Sequence, residues 1–293
     1  MARPVGTIGK GTDVGKIRSD NQDSFEVREL PEATLLVVAD GMGGHLGGKL
    51  ASRMCVDTIV RNVESSDIQW NDPHQIRSLL EQVLLRANTE VHRESRSNED
   101  AYNMGTTAVV VAVVGNLAHI AHVGDSRLYL LRDGQPIRLT TDHTAAQFLV
   151  DTGQISPQEA RGHRDSHRLM RAIGILAQVE PDVRTEAQVL QQHDTLLLCS
   201  DGLYDVVDGR EMAIAVKKFG PQKAVEKLIE LAIQRGGPDN VTVVTFRRDD
   251  RDGLLTRFGE FLSREERGLP IYAWAVAAGA LVLVTTFLTL ALT

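Results

Sequence analysis

Cysteine is scarce in this chain, with only Cys55 and Cys199 among 293 residues. Both stand in apolar stretches, which favours two buried, reduced thiols and a reducing compartment. Two such residues exclude a disulfide framework, and they form neither a zinc-binding motif nor a recognisable thiol nucleophile. A chain of this length buries enough apolar surface to fold without disulfides.

Basic runs are also missing, and the formal net charge is −7. Because proteins that bind nucleic acids electrostatically carry clustered lysine and arginine, we expect no nucleic-acid partner. Residues 1–18 contain no apolar stretch like that of a signal peptide, so export by that route is not expected. The sequence shows neither internal repeats nor low-complexity segments.

One long uncharged stretch does occur, from Ile271 to Leu292. As an α-helix it would be about 33 Å long, and the hydrocarbon core of a bilayer is roughly 30 Å thick. Residues 247–267 carry six arginines and only Thr293 follows the stretch, so the positive-inside rule keeps the arginine side in the cytoplasm. We therefore expect a single-pass tail anchor in the cell membrane, with the globular domain in the cytoplasm. A buried soluble helix is the alternative.

Hydrophobic periodicity predicts the secondary structure and the fold class. Neighbouring strands joined by short links imply antiparallel pairing, and strands and helices segregate rather than alternate, which favours an α+β class. We expect an α+β domain over residues 1–246, a charged juxtamembrane linker over 247–269 and the anchor over 270–293. The predicted strands are Thr34–Ala39, Thr106–Val114, Ala118–Val123, Arg127–Leu131, Thr195–Ser200 and Val241–Phe246. The predicted helices are about Leu46–Asn62, His74–Arg96, Arg210–Lys218 and Gln222–Gln234.

Five aspartates stand at the ends of predicted strands. Asp40 and Asp201 each follow an apolar strand and precede a glycine, which would let the backbone turn sharply. Asp125 follows a third strand, whereas Asp23 and Asp239 precede strands. A single Asp-Gly pair is typical of a turn. If all five converge, however, their burial costs several kcal/mol per ion unless protonation or cations compensate.

Hard divalent cations bound by the carboxylate oxygens would offset the cost of burying these charges together. Mg²⁺ and Mn²⁺ are the cations that prefer such oxygen ligands. The lack of a clustered His/Cys set argues against zinc. A two-ion site suits phosphoryl transfer, because the ions activate a water for in-line attack and neutralise charge on the phosphate oxygens. Arg18 lies five residues before Asp23, and its guanidinium is a candidate grip for those oxygens.

Several short segments occur in a characteristic order along the chain. They are RSDNQD (Arg18–Asp23), VVADGMGGHLGG (Val37–Gly48), MGTTAV (Met104–Val109), HVGDSRLYLL (His122–Leu131), TTDHT (Thr140–Thr144), LCSDGLYD (Leu198–Asp205) and GGPDNVTVV (Gly236–Val244). In this order they resemble the metal-dependent (PPM, type 2C) serine/threonine protein phosphatases, and the bacterial branch is the closer match. The resemblance covers nearly all of residues 5–246. It implies a four-layer α-β-β-α sandwich of two antiparallel sheets flanked by helices, with the metals in a cleft at one end.

The resemblance also implies roles for individual residues. Asp40 would bridge two ions, and the carbonyl of Gly41 would bind one of them. Asp201 and Asp239 would complete the shell of the other ion. Asp23 would act through metal-bound waters.

Further residues would act around this pair of ions. Asp125 and Asp205 match the positions that bind a weaker third ion in many members. Arg18 would hold the substrate phosphate, and Asn240 would support the site. The segment from Thr140 to Gly174 resembles the mobile flap that borders the cleft and influences substrate choice. The implied substrates are phosphoserine and phosphothreonine on proteins, and the implied partners include membrane-associated serine/threonine kinases.

The sequence departs from the family pattern at two positions. Met42 stands where some members have a histidine that protonates the leaving group, so no residue is assigned to that step. Gln22 replaces a glutamate found in many eukaryotic members, which removes one anionic ligand. His45 lies nearby, but a histidine at a helix start is more often structural or solvated.

Two rival functions compete with a phosphatase. Residues 43–49 match most of a phosphate-binding P-loop, but Leu50 stands where a magnesium-binding Ser or Thr belongs. A catalytically silent, membrane-tethered binding module of the same fold is the second rival. Such a module usually loses metal-binding acids, and the matching aspartates are all present here.

Overall fold

A computed structural model of the protein describes residues 6–44 and 46–249. They belong to one compact unit, Met1–Asp249. The predicted anchor and most of the predicted linker lie outside the described residues. Within the described part of the chain, no helix is long and apolar enough to cross a membrane.

Strands and helices follow the order expected for an α+β domain. The described strands are β1 (Gly6–Asp13), β2 (Asp23–Glu29), β3 (Thr34–Met42), β4 (Gly105–Thr106), β5 (Ala108–Val114), β6 (Leu117–Val123), β7 (Arg127–Arg132), β8 (Gln135–Arg138), β9 (Asp182–Val183), β10 (Gln188–Val189), β11 (Thr195–Cys199) and β12 (Val241–Arg248). The described helices are α1 (Gly47–Glu64), α2 (Pro73–Ser97), α3 (Ala145–Asp151), α4 (Pro157–Ala160), α5 (Asp201–Tyr204), α6 (Gly209–Phe219) and α7 (Pro221–Gln234).

Two antiparallel sheets organise these elements. Sheet A has the strand order β1-β12-β11-β7-β8, and sheet B has the order β10-β6-β5-β3-β2. The short strands β4 and β9 pair with β3 and β6, respectively, at the margins of sheet B. Each of these pairings is antiparallel, so the predicted α+β class with antiparallel sheets is confirmed.

Alternation along β3 shows how the layers stack. Leu35 and Val37 point into a core shared with α1 and α2, whereas Leu36 and Val38 point into a core shared with sheet A. This follows from the two-residue period of a strand, which sends successive side chains to opposite faces. The outer face of sheet A packs in turn on α6 and α7. The order helix, sheet, sheet, helix confirms the four-layer sandwich.

The structure corrects the expected role of the two Asp-Gly pairs. Strand β3 continues through Gly41 instead of turning there, and Asp201 begins helix α5. Neither glycine has a positive φ. A Cβ at Gly41 would collide with the Gly48 carbonyl oxygen, and one at Gly202 would collide with the Asn240 carbonyl oxygen. Both glycines therefore permit close backbone approach rather than a turn.

The strands also differ from the prediction in three details. The predicted strand Thr106–Val114 is interrupted at Thr107, where the backbone N–H donates to the Asp40 carbonyl oxygen at 2.9 Å. Strand β1 was not predicted, because its sequence GTIGKGTD lacks an apolar run. It is an edge strand that depends on its antiparallel pairing with β12. Strand β12 itself runs on to Arg248, two residues beyond the predicted end of the domain.

Candidate metal centre

The register of sheet B brings two of the predicted site residues face to face. Asp23 on β2 pairs directly with Asp40 on β3, and Asp23 is only 9% exposed. The backbone of Asp40 is held by two threonines. Thr107 Oγ1 accepts a hydrogen bond from the Asp40 N–H at 2.9 Å, and Thr106 Oγ1 donates to the Asp40 carbonyl at 2.8 Å. These two contacts fix the backbone of Asp40 near the end of β3.

A serine joins sheet A to this pair. Ser200 Oγ donates to Asp23 Oδ2 at 2.7 Å and accepts from the backbone N–H of Thr242 at 3.0 Å. Because Ser200 immediately precedes Asp201, the same contact brings Asp201 to the carboxylates of sheet B. The sheets therefore meet at one end through buried hydrogen bonds.

Asn240 organises the loop that carries Arg18. Its Oδ1 accepts from the N–H of Gln22 at 2.8 Å, and its Nδ2 donates to the carbonyls of Val14 and Asp20 at 2.9 and 3.0 Å. The neighbouring Asp239 accepts a hydrogen bond on Oδ2 from Arg18 Nη2 at 2.7 Å. Arg18 thus lies at the exposed rim of the acid cluster, in contact with one of its members.

The flap contributes a residue that the sequence did not identify as functional. His167 Nδ1 lies 3.7 Å from Asp201 Oδ2, and its Nε2 lies 3.6 Å from Asp205 Oδ2. Asp125, His167 and Asp201 each offer a ligand atom within 4.8 Å of the others. The only signal was the histidine- and arginine-rich stretch of residues 160–169, which had indicated no more than an exposed loop.

Burial makes this acid cluster electrostatically costly. Desolvation raises the pKa of Asp23 and of Asp125 to about 7, and neighbouring carboxylates add to the effect. The pKa of Asp40 rises well above its ordinary value for the same reasons, and that of Asp205 rises to about 6. The neighbouring carboxylate of Asp201 raises the pKa of His167 to about 9, so the histidine supplies some positive charge.

The donor set fits hard divalent cations. Asp23 Oδ1 and Asp201 Oδ1 are buried and have no hydrogen-bond partner among the described residues. Buried carboxylate oxygens without a proton donor are costly, and oxygen-rich sites of this kind suit Mg²⁺ or Mn²⁺. Of the predicted site residues, Asp23, Asp40, Asp125, Asp201 and Asp239 all interact electrostatically in this cluster, and Asp205 joins it through Asp201.

A second group, His122, His143 and Asp182, lies behind this cluster. His143 Nδ1 accepts from the backbone N–H of Gly124 at 3.1 Å, so the ring proton is on Nε2, which faces Asp182 Oδ2 at 3.3 Å. Binding a metal through Nε2 would leave no proton on the ring of His143, which is costly at neutral pH. The group is therefore better described as a polar contact between the flap and the Asp125 loop, in which His143 Nε2 makes no hydrogen bond among the described residues.

The P-loop alternative finds no support in the contacts of Lys49. Its Nζ donates to Asp20 Oδ1 at 2.8 Å, and the residue lies in the first turn of α1. His45 lies outside the described residues. Gln22 contributes its backbone, since its carbonyl accepts from the Gly41 N–H at 3.1 Å and from Ser52 Oγ at 2.5 Å.

Comparison with known proteins gives a consistent result. The family model described as Protein phosphatase 2C matches residues 11–234. Protein phosphatase PhpP of Streptococcus pneumoniae is 35% identical over 244 residues, which cover 82% of this chain and 97% of PhpP. Serine/threonine protein phosphatase PstP of Mycobacterium tuberculosis is 36% identical over 234 residues, which cover 80% of this chain and 43% of PstP.

Solved structures extend the likeness to the fold. The serine/threonine phosphatase of S. agalactiae superposes with a TM-score of 0.77 at 33% identity, covering 83% of this chain and 99% of that one. The catalytic domain of PstP, solved in complex with 2 manganese ions, superposes with a TM-score of 0.72 at 34% identity, covering 84% and 99%. The family expected from the short segments is thus confirmed. The chain belongs to the protein phosphatase 2C family, among its bacterial metal-dependent serine/threonine protein phosphatases.

Proposed function

We propose that this chain is a tail-anchored phosphatase, dependent on Mn²⁺ or Mg²⁺, that removes phosphate from phosphoserine and phosphothreonine in proteins at the cytoplasmic face of the cell membrane. Serine/threonine kinases of that membrane are among the proposed substrates. The observation that carries the catalytic part is the meeting of buried Asp23 with half-buried Asp40 and Asp201, in which Asp23 Oδ1 and Asp201 Oδ1 have no hydrogen-bond partner among the described residues.

The proposed ligands are the residues of the acid cluster. Asp40 and the Gly41 carbonyl would hold one ion, and Asp40, Asp201 and Asp239 the second. Asp23 would act through water. Bound ions supply Lewis-acid activation of water and neutralise the charge of the phosphate oxygens.

A third, weaker ion would lie between Asp125 and Asp205. Support for this part comes from the flap, because His167 already places positive charge beside Asp205. A cation that took the same oxygens would compete with the histidine, so His167 would have to move. The flap would then change position with the occupancy of this site.

Arg18 is the proposed phosphate-binding residue. Its guanidinium is exposed at the rim and donates to Asp239 in the structure, so an incoming phosphate dianion would compete for those donors. The planar fork can bind two phosphate oxygens at once. The threonine contacts around Asp40 would keep the site rigid, which favours stabilisation of charge that develops during reaction.

Metal-dependent hydrolysis of a phosphothreonine peptide tests the catalytic proposal. The full-length chain in lipid nanodiscs should hydrolyse the peptide with Mn²⁺ and not with chelator. Asp40→Asn should lower kcat by at least about 1000-fold, because the ligand charge is lost at constant shape. Asp57→Asn, on the exposed face of α1, is the matched control and should behave like the wild type.

Two results would contradict the catalytic proposal. Near-normal turnover by Asp40→Asn would remove Asp40 from the metal centre. Absence of hydrolysis by the wild-type chain with any divalent cation would support the catalytically silent binding module instead.

The anchor is a separate proposal, supported by the uncharged stretch Ile271–Leu292 and the arginines before it. Deletion of residues 270–293 should move the protein from the membrane pellet to the soluble fraction, with phosphatase activity retained. A truncated form that still sediments with membranes through a carbonate wash would show that residues 270–293 are not the anchor.

A further inference from the structure

A largely apolar groove of about 250 Å³ opens between the end of β3 and residues 169–180. Its apolar lining includes Met42, Leu169, Met170, Ile175, Leu176 and Val179, and its polar members are Arg171, Gln178 and Glu180. Met170 is 54% exposed and Leu176 is 64% exposed. Two large aliphatic side chains held open to solvent along one groove are typical of a contact surface.

The groove adjoins the metal centre along β3. Met42 follows Gly41 directly on β3. The opposite wall is fixed to the same point, because Thr106 and Ile173 exchange backbone hydrogen bonds of 3.0 and 2.8 Å. Thr106 is also the residue whose hydroxyl donates to the Asp40 carbonyl. A polypeptide whose phosphate reaches Asp40 therefore lies next to this groove.

The walls of the groove are formed before any ligand binds. Asn88, a buried side chain of α2, donates to the Leu176 carbonyl at 3.1 Å and accepts from the Gly174 N–H at 2.7 Å. Arg171 Nη1 donates to Asp182 Oδ1 at 2.8 Å, so its charge is engaged by a carboxylate of β9. A preformed apolar surface binds an apolar group without the cost of ordering its walls.

We propose that this groove binds one aliphatic side chain of the substrate polypeptide, close in sequence to the phosphorylated residue. The volume accommodates a single leucine, isoleucine or methionine side chain. An extended chain advances about 3.3 Å per residue, so a side chain within a few positions of the phosphoresidue can reach a groove that begins one residue from Gly41. The proposal rests on the proposed function, since it concerns the polypeptide that carries the phosphate.

A leucine scan of phosphopeptides tests the groove. Each peptide has one phosphothreonine in a Gly/Ser background and a single leucine, placed between four positions before and four positions after it; a leucine-free peptide is the reference. With Mn²⁺, the full-length chain in nanodiscs should favour leucine at one or two positions by about tenfold in kcat/KM, which corresponds to about 1.4 kcal/mol.

Uncharged substitutions of similar size show which side chains cause the preference for leucine peptides. Leu176→Gln and Met170→Gln should each reduce the ratio of leucine peptide to reference peptide towards one. Ile214→Gln is the matched control, because Ile214 is 62% exposed on α6, which packs on the other sheet. This variant should keep the wild-type ratio.

Four outcomes would overturn the proposal. Equal kcat/KM for all peptides in the wild type would refute the groove and leave the phosphatase function standing, whereas no hydrolysis at all would refute both. A wild-type preference unchanged in Leu176→Gln and Met170→Gln would place the selectivity elsewhere. Concentration-dependent dimerisation that Leu176→Gln abolishes, with no peptide preference, would assign the groove to a second copy of the chain.

Discussion

At the scale of single residues, the site concentrates negative charge where water is scarce. Asp23 and Asp40 face each other across neighbouring strands, and Asp201 approaches them from the other sheet through Ser200. Burial is the largest cause of the raised pKa of Asp23 and Asp40, and repulsion between carboxylates comes next for Asp40. The cluster therefore costs free energy in the absence of cations, which ties its presence to function rather than to stability.

These aspartates could be predicted because each one adjoins an apolar strand, which is a local pattern. His167 and Thr107 could not be identified in the same way. His167 comes from a polar loop whose position depends on how the flap folds back, and Thr107 is the second of two adjacent threonines before an apolar run. Their contacts with Asp205 and Asp40 are set by tertiary structure alone.

Arg18→Ala provides a test at this scale. The variant loses charge-assisted hydrogen bonds to phosphate, worth about 1.5–3 kcal/mol, so KM for a phosphothreonine peptide should rise about 10- to 100-fold. The metal ligands remain, so kcat should change by less than about threefold. Steady-state kinetics with Mn²⁺ measure both constants, and Arg53→Ala on the exposed face of α1 is the control. A fall in kcat at constant KM would mean that Arg18 does not act by binding phosphate.

At the scale of elements, close contact between the backbones of neighbouring helices and strands determines where these elements begin and end near the site. Helix α5 begins at Asp201 and lies so close to the start of β12 that Gly202 leaves no room for a side chain against the Asn240 carbonyl. The sequence identified the Asp-Gly pair but could not distinguish a turn from close packing, because glycine serves both. Strand β1 was not predicted because an edge strand can form without an apolar run.

Gly202→Ala tests the packing of α5. Alanine is favoured over glycine within a helix by about 1 kcal/mol, but the collision with the Asn240 carbonyl should outweigh this gain. We expect the free energy of unfolding to fall by about 1–3 kcal/mol, measured by chemical denaturation of the full-length chain. Gly44→Ala is the control, because a Cβ there meets nothing within 4 Å and the residue has no positive φ. Equal stability of the two variants would contradict the close approach of α5 and β12.

At the scale of the whole domain, the two sheets pack face to face, the acid cluster lies at one end of this sandwich, and the helices cover the outer faces. The antiparallel layers could be predicted because hydrophobic periodicity and short links act locally. Which strand ends converge depends on the order of strands in each sheet, which only the resemblance supplied. Residues 250–293, with the predicted anchor, lie outside the described residues, so that part of the account remains a proposal.

The pH dependence of stability tests the cluster as a unit. In the metal-free protein the pKa of Asp23 and of Asp125 is about 7, against 3.8 for an ordinary aspartate. Between these values the folded state binds more protons than the unfolded state, so the free energy of unfolding falls as pH rises. We expect Tm in chelator to be at least about 5 °C higher at pH 5 than at pH 8.

Two controls sharpen this measurement. Asp125→Asn should flatten the dependence, because it removes one of the titrating groups. Saturating Mn²⁺ should raise Tm most at pH 8, since ion binding requires deprotonated carboxylates. A Tm in chelator that rises from pH 5 to pH 8 would contradict the raised pKa values.

The most direct measurement is a crystal structure of the protein grown with Mn²⁺, with anomalous scattering recorded at the manganese edge. Two strong anomalous peaks should contact Asp40, one of them also touching the Gly41 carbonyl and the other Asp201 and Asp239. Anomalous density absent from these residues, or found only on separate surfaces, would contradict the assignment of the buried acids as the metal centre.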